Sequence, residues 1–296
     1  WTLGSLAAAS SPIAPNAVLS GIGDNGSVCI YSMAATDVIV DVNGYVPEGG
    51  SMRPVVPARA ADTREGTPTG RLSAGGTLKV KVVGVGGVRG DASAVMLNVT
   101  AVSPGAAGFL TVFACGAAQP NASHVNYMPG SVSPNAVLSG VGDGGAVCIY
   151  SMAATDVIVD VNGYVPSGGS MSPVVPARLA DTREGTPTGR LAAGDTLAVG
   201  VTGSGGVPAG ASAVMLNVTA VSPGAPGFLT VFPCGKAQPL ASHVNYLAGD
   251  VSPNAVLSGV GAGGAVCIYS MAATDVIVDV NGYVTGGGTG GGPTPN

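Results

Sequence analysis

The chain has 296 residues, of which 46% are apolar, only 9% charged and 4% aromatic, and its net charge is −5. Three lysines (Lys79, Lys81 and Lys236) form no basic stripe that could neutralise phosphates, which excludes nucleic acid as a partner. No apolar run approaches the ~18 to 20 residues needed to span a bilayer, so no membrane insertion is expected.

Along the chain the sequence repeats at a spacing of 119 residues. Residues 15–46 return at 134–165 and again at 253–284, while 54–122 return once, at 173–241. A period of this length is the size of a small domain and too long for one coil of a solenoid. The expected organisation is an incomplete repeat over 1–46, complete repeats over 51–166 and 170–285, and a Gly/Thr/Pro-rich linker or tail over 286–296. Residues 123–165 and 242–284 differ at only four positions: Met128/Leu247, Pro129/Ala248, Ser131/Asp250 and Asp143/Ala262. Neighbours so alike can exchange segments.

The first partial copy holds Cys29 and the closing run 36–46, but not the counterparts of 77–113. It is therefore expected to depend on other polypeptide, either preceding chain or a neighbouring subunit. In the second copy, β-branched runs of period two cover residues 77–83, 94–102, 109–113, 136–141, 146–150 and 156–165, separated by Gly, Pro, Asn and Asp. The same runs recur in the third copy. Helical periodicity is missing, so the fold class is all-β: tandem β-sandwich, jelly-roll-like domains of seven to nine strands. In 94–102, Val95, Leu97, Val99 and Ala101 share one face, with Met96, Asn98 and Thr100 on the other. The joints are Pro-Glu-Gly-Gly-Ser at 47–51 and Pro-Ser-Gly-Gly-Ser at 166–170.

Cys115 and Cys148 recur as Cys234 and Cys267 at the same 33-residue spacing. One disulfide per copy is expected, hence an oxidising, extracellular setting. Cys29 is left free or paired outside its half-repeat. No CxxC and no His/Cys cluster points to a metal.

Charges are few, so their placement is informative. Pro-Ala-Arg-Ala-Ala-Asp-Thr-Arg-Glu-Gly at 57–66 returns with one change at 176–185. Arg59, Asp62 and Arg64, with Arg178, Asp181 and Arg183, are read as a structural ion-pair network against the aspartates of the last strand; an arginine clamp for an anionic ligand is the alternative. In that last strand, 155–164, Asp156, Asp160 and Asn162 share one face. Its Asp-x-Asn-Gly superficially matches a calcium loop but lacks the downstream carboxylates, so calcium is the weaker reading and no cofactor is expected. His124 and His243 occupy equivalent places without a nucleophile elbow, and Ser5 replaces them in the first copy, so no catalytic residues are assigned. Asn25, Asn98, Asn121 and Asn217 each begin an Asn-x-Ser/Thr acceptor pattern for glycosylation.

Taken together, Pro-Ala-Arg-x-x-Asp-Thr-Arg, Val-Met-Leu-Asn-Val-Thr, Gly-Phe-Leu-Thr-Val, Ser-Pro-Asn-Ala-Val and Thr-Asp-Val-Ile-Val-Asp-Val-Asn-Gly-Tyr resemble the tandem all-β repeats of large secreted and surface proteins of bacteria. The resemblance covers nearly all of the chain outside its tail and brings no catalytic residues with it. It implies a place outside the cell and an architectural or adhesive role. The leading expectation is a non-enzymatic structural subunit of an extracellular fibre, filament or surface layer, self-associating head to tail into a polymer. The alternative is a multivalent carbohydrate- or cell-wall-binding adhesin that takes surface glycans.

Overall fold

The computed structural model describes residues 14–286. The tail from 287 onward and residues 1–13, Ser5 included, lie outside the described residues. The fold is all-β, with only short 3-10 turns besides strands.

The second copy contributes eight strands: β1 (Arg53–Asp62), β2 (Thr77–Lys81), β3 (Ala92–Val102), β4 (Gly108–Ala114), β5 (Val125–Tyr127), β6 (Val132–Gly140), β7 (Ala146–Ser151) and β8 (Asp156–Pro166). They form two antiparallel sheets, ordered β1-β8-β3-β6 and β2-β7-β4-β5. The third copy repeats the plan with β9 (Met171–Asp181), β10 (Thr196–Gly200), β11 (Ala211–Val221), β12 (Gly227–Pro233), β13 (Val244–Tyr246), β14 (Val251–Gly259), β15 (Ala265–Ser270) and β16 (Asp275–Thr285). Its sheets run β14-β11-β16-β9 and β10-β15-β12-β13.

Alternation of side chains puts one face of each sheet into a shared core. Val95, Leu97 and Val99 of β3 meet Leu110 and Val112 of β4, Val147 and Ile149 of β7, and Val157, Val159 and Val161 of β8. The third copy has the matching core around Leu216, Leu229 and Ile268. Cys115–Cys148 and Cys234–Cys267 are bonded, each staple joining the turn just after one strand to the middle of its neighbour.

Strand pairing follows one rule. Every ladder joins a strand from the first half of a copy to a strand from its second half: β1 with β8, β2 with β7, β3 with β6 and β8, and β4 with β5 and β7. The third copy obeys the same rule. No ladder lies within a half, the Gly142–Ala146 pairing being an isolated bridge, so a second half alone lacks the ladder partners of its strands. Residues 14–46 accordingly carry the second-half sequence without forming a strand, their one regular element being a 3-10 turn at Asp24–Gly26.

The three copies close into a ring. Asn135 of the second copy donates through Nδ2 to Asn217 Oδ1 of the third at 2.7 Å, and its Oδ1 accepts from Ala255 N at 3.1 Å. One period earlier, Asn16 donates to Asn98 Oδ1 at 2.8 Å and accepts from Ala136 N at 2.9 Å, joining the first copy to the second. One period later, Asn254 Oδ1 accepts from Ala17 N at 3.1 Å and joins the third copy back to the first. Apolar triplets line the same joint: Ala17, Ala136 and Ala255; Leu19, Leu138 and Leu257; Val46, Val165 and Val284, with Met52, Met96, Met171 and Met215. The leucine packs onto a glycine of the next copy, so closely that a Cβ on Gly282 would lie 2.7 Å from Leu138 Cδ2 and one on Gly44 3.2 Å from Leu257 Cδ2. This contact explains the polar face of 94–102. Met96, Asn98 and Thr100 are buried, because that face of the sheet looks into the ring joint rather than into water.

Candidate functional site

The charged motif lies at the corner where β1 turns into a 3-10 element, Thr63–Glu65. Asp62 caps that turn by accepting from Arg64 N at 3.1 Å, and its carboxylate also receives Arg59 Nη1 at 2.9 Å and Arg64 Nη2 at 2.5 Å. Arg59 reaches across to Asp160 of β8, Nε to Oδ1 at 2.5 Å. The third copy holds the same set, Arg178 with Asp181 and Asp279 and Arg183 with Asp181. The hydrogen bond from Arg64 holds the Asp62 carboxyl below the usual carboxylate range, and Arg183 does the same for Asp181. Burial acts oppositely on Asp160 and Asp279, raising both against the opposing pull of their arginines.

A second pair escaped the sequence reading. Arg71 donates to Asp156 Oδ2 at 2.6 Å and to the carbonyls of Ser103 and Ala154, and Arg190 does likewise with Asp275, Ser222 and Ala273. The signal was present in Gly-Arg-Leu, kept in both complete copies at 70–72 and 189–191. Asp156 and Asp160 are thus each engaged by an arginine, and among the described residues no three His, Cys, Asp or Glu gather as a metal site.

His124 is fully buried at the joint between the second and third copies. Its Nδ1 accepts from Val112 N at 3.1 Å, and Asn281 of the third copy lies beside it. Burial lowers its pKa to about 4, so it is neutral at physiological pH; His243 shifts in the same direction for the same reason. Neither histidine meets a nucleophile in these contacts.

Of the glycan acceptor candidates, Asn25 and Asn121 are exposed. Asn98 and Asn217 are 1% exposed and occupied by the ring clasp, which leaves no room for a glycan on the folded chain. The asparagines of Pro-Asn-Ala-Val (Asn16, Asn135 and Asn254) had no role assigned from the sequence. Their retention in all three copies, the partial one included, was the available signal.

One concavity of about 370 Å³ is open to solvent and lined by residues 187–191 and 195–198, with Arg190 and Asp195 its charged groups. Cys29 is exposed and free. Around it the first copy exposes what the other copies bury: Ile39 is 87% exposed where Ile158 is 0%, Val42 85% where Val161 is 0%, and Tyr45 79% where Tyr164 is 7%.

No family model matches the chain, and no curated protein matches it. Among solved structures, it is similar to the N-terminal CBM22-1–CBM22-2 tandem domain of Xyn10C from Paenibacillus barcinonensis, at 13% identity over 80% of this chain and 99% of that one, with a TM-score of 0.23. A score so low conveys neither a shared arrangement nor a shared ligand.

Proposed function

We propose that the chain is a structural, non-catalytic unit of a secreted or cell-surface assembly, acting as a rigid three-place hub. The observation that carries this reading is the asparagine clasp made three times over, Asn16 to the second copy, Asn135 to the third and Asn254 back to the first. A contact that closes on itself yields a finite body, whereas the same contact left open would propagate. The copy-to-copy contact is therefore consumed inside the chain, which weighs against growth of a fibre through that surface. Two disulfides suit an oxidising, extracellular location, and no described helix is long and apolar enough to cross a membrane. The charged residues support the same reading, since the arginines and aspartates that sequence motifs bring together pin loops to strands in the same way in both complete copies.

Negative-stain electron microscopy of the purified chain tests the proposal, with compact three-lobed particles as the expected result. Strings of separately moving beads would contradict the hub. A glycan array showing specific binding at about millimolar strength or tighter would instead move the chain to the adhesin class.

A further inference from the structure

We propose that the joint between the second and third copies is an acid-sensitive latch, held shut by the neutral imidazole of His124 and released when that ring takes up a second proton. The inference rests on the closed ring of the proposed function and adds the condition under which it opens.

The latch is made of contacts around residues 123–124. Ser123 O accepts from Asn217 Nδ2 of the third copy at 2.7 Å, and Ser123 N donates to Asp279 Oδ2 at 3.4 Å. His124 O accepts from Asn135 Nδ2 at 2.5 Å, and the same Nδ2 reaches Asn217 Oδ1 at 2.7 Å. One amide therefore holds both the histidine's carbonyl and the neighbouring copy, so a displaced His124 pulls on the clasp itself.

The imidazole sits where a second proton finds no partner. Nδ1 accepts from Val112 N at 3.1 Å, so the ring is the neutral tautomer with its proton on Nε2. A proton on Nδ1 would face that backbone N–H, donor against donor, and Nε2 has no acceptor of good geometry although Asn281 of β16 lies beside it. The ring is fully buried, so its charged form would be neither paired nor hydrated, and the joint is the seam through which water can reach it. His243 repeats the arrangement, with Nδ1 accepting from Val231 N at 3.1 Å and its carbonyl from Asn254 Nδ2 at 2.5 Å.

No free acid stands ready to neutralise the imidazolium. β4, β6 and β11 carry no ionisable residue, and β5 carries Tyr127, whose hydroxyl meets Ser151 inside the second copy. From the third copy come Asp279 of β16, paired with Arg178 of β9, and Asp275 and Asp181, held by Arg190 and Arg183, while Tyr283 packs on that copy's core. Burial makes Asp279 take a proton more readily than an ordinary carboxylate, and it does the same to Asp160 in the second copy. Opening driven by these aspartates would strike the joint between the first and second copies too. Opening driven by histidine spares that joint, because the first copy has Ser5 at the aligned sequence position.

Oxidation of the full chain by hydrogen peroxide, which converts accessible Met to its sulfoxide, reads the two joints separately. Met215 pairs with Gly282, onto which Leu138 of the second copy packs, and Met96 pairs with Gly163, onto which Leu19 of the first copy packs. Both methionines are buried, whereas Met152 and Met271 are exposed and calibrate the reaction. Lowering the pH from 7.5 to 4 should raise Met215 oxidation relative to Met152 by ~10- to 100-fold, the upper figure being the linkage limit for a histidine whose pKa returns from about 4 to 6.5 on opening. Met96 should stay protected, and the far-UV circular dichroism should stay native. In His124→Asn, whose Oδ1 can accept from Val112 N without titrating, Met215 should remain protected at pH 4; His124→Gln replaces it if the Asn variant is already open at pH 7.5. Met215 protected at pH 4 in the native chain overturns the latch, as does equal oxidation of Met96 and Met215 or a rise in the variant as large as the native one. Met215 oxidised freely at pH 7.5 in the native chain would overturn the closed ring itself, and the latch with it.

Discussion

At the level of single residues, the aspartate of the Asp-Thr-Arg motif does more than neutralise a charge. Asp181 accepts from Arg183 N at the turn and from the side chains of Arg178 and Arg183, while itself almost fully buried. Asp181→Ala strands these donors and should cost about 2–4 kcal/mol, discounted from a fully buried pair because both arginines are partly solvated. The Tm read by calorimetry should fall by on the order of 10 °C. An unchanged Tm would deny the structural role. The grouping of these charges was legible in the sequence, because nine-tenths of the chain is uncharged and the motif recurs intact. The partners of Arg71 and Arg190 were not, since Asp156 lies 85 residues beyond Arg71 and only the fold joins them.

His124 gives the chain a pH dependence with a definite sign. Its pKa is about 4 in the fold against an ordinary value of 6.5, so the unfolded chain binds the proton first as pH falls. Stability should therefore decline between about pH 6.5 and pH 4, by roughly 3 kcal/mol in all, and change no further from this group below that window. His243 adds in the same direction. Denaturant melts from pH 7.5 to 4 should show the slope in the native chain and a shallower one in His124→Gln. Equal slopes would place the acid sensitivity elsewhere.

At the level of elements, alternation and turn residues revealed most of the strands but missed β1 and β5. β1 contains Pro54 and Pro57, which argue against a strand from sequence alone. The sheet tolerates them because β1 is an edge strand with irregular register against β8. β5 is three residues long, too short for a period to register. The disulfide pairing was legible from the fixed spacing. Each bond ties a first-half strand to a second-half strand across the interleaved pairing, closing a loop of 33 residues in sequence separation. Replacing Cys115 and Cys148 together by Ser should destabilise the second copy by roughly 3 to 4 kcal/mol on the chain-entropy account. A loss below about 1 kcal/mol would indicate that the ring joint already confines the halves in the unfolded ensemble.

At the level of the whole molecule, the sequence announced copies but not their closure. Linkers such as 47–51 and 166–170 read only as the places where copies divide, yet Ser170 Oγ donates to Ser51 Oγ at 3.0 Å where the copies meet. The outer face of 94–102 read as a partly polar face because Asn98 and Thr100 are polar, a composition that also suits contact with water. That pattern is also what a joint made of asparagine clasps requires, and periodicity cannot tell the two apart. The partial copy was legible as incomplete.

Ring closure is most directly tested between the first and third copies, which are distant in sequence and meet only if the ring is real. Asp41 Oδ2 and Ser242 N lie 3.4 Å apart across 201 residues. A chain carrying Cys29→Ser, Asp41→Cys and Ser242→Cys should, when dilute and treated with a short bis-maleimide, yield monomers in which the two introduced thiols are linked, as mapped by mass spectrometry. Links formed only between molecules, or none at all, would contradict the closed three-copy ring.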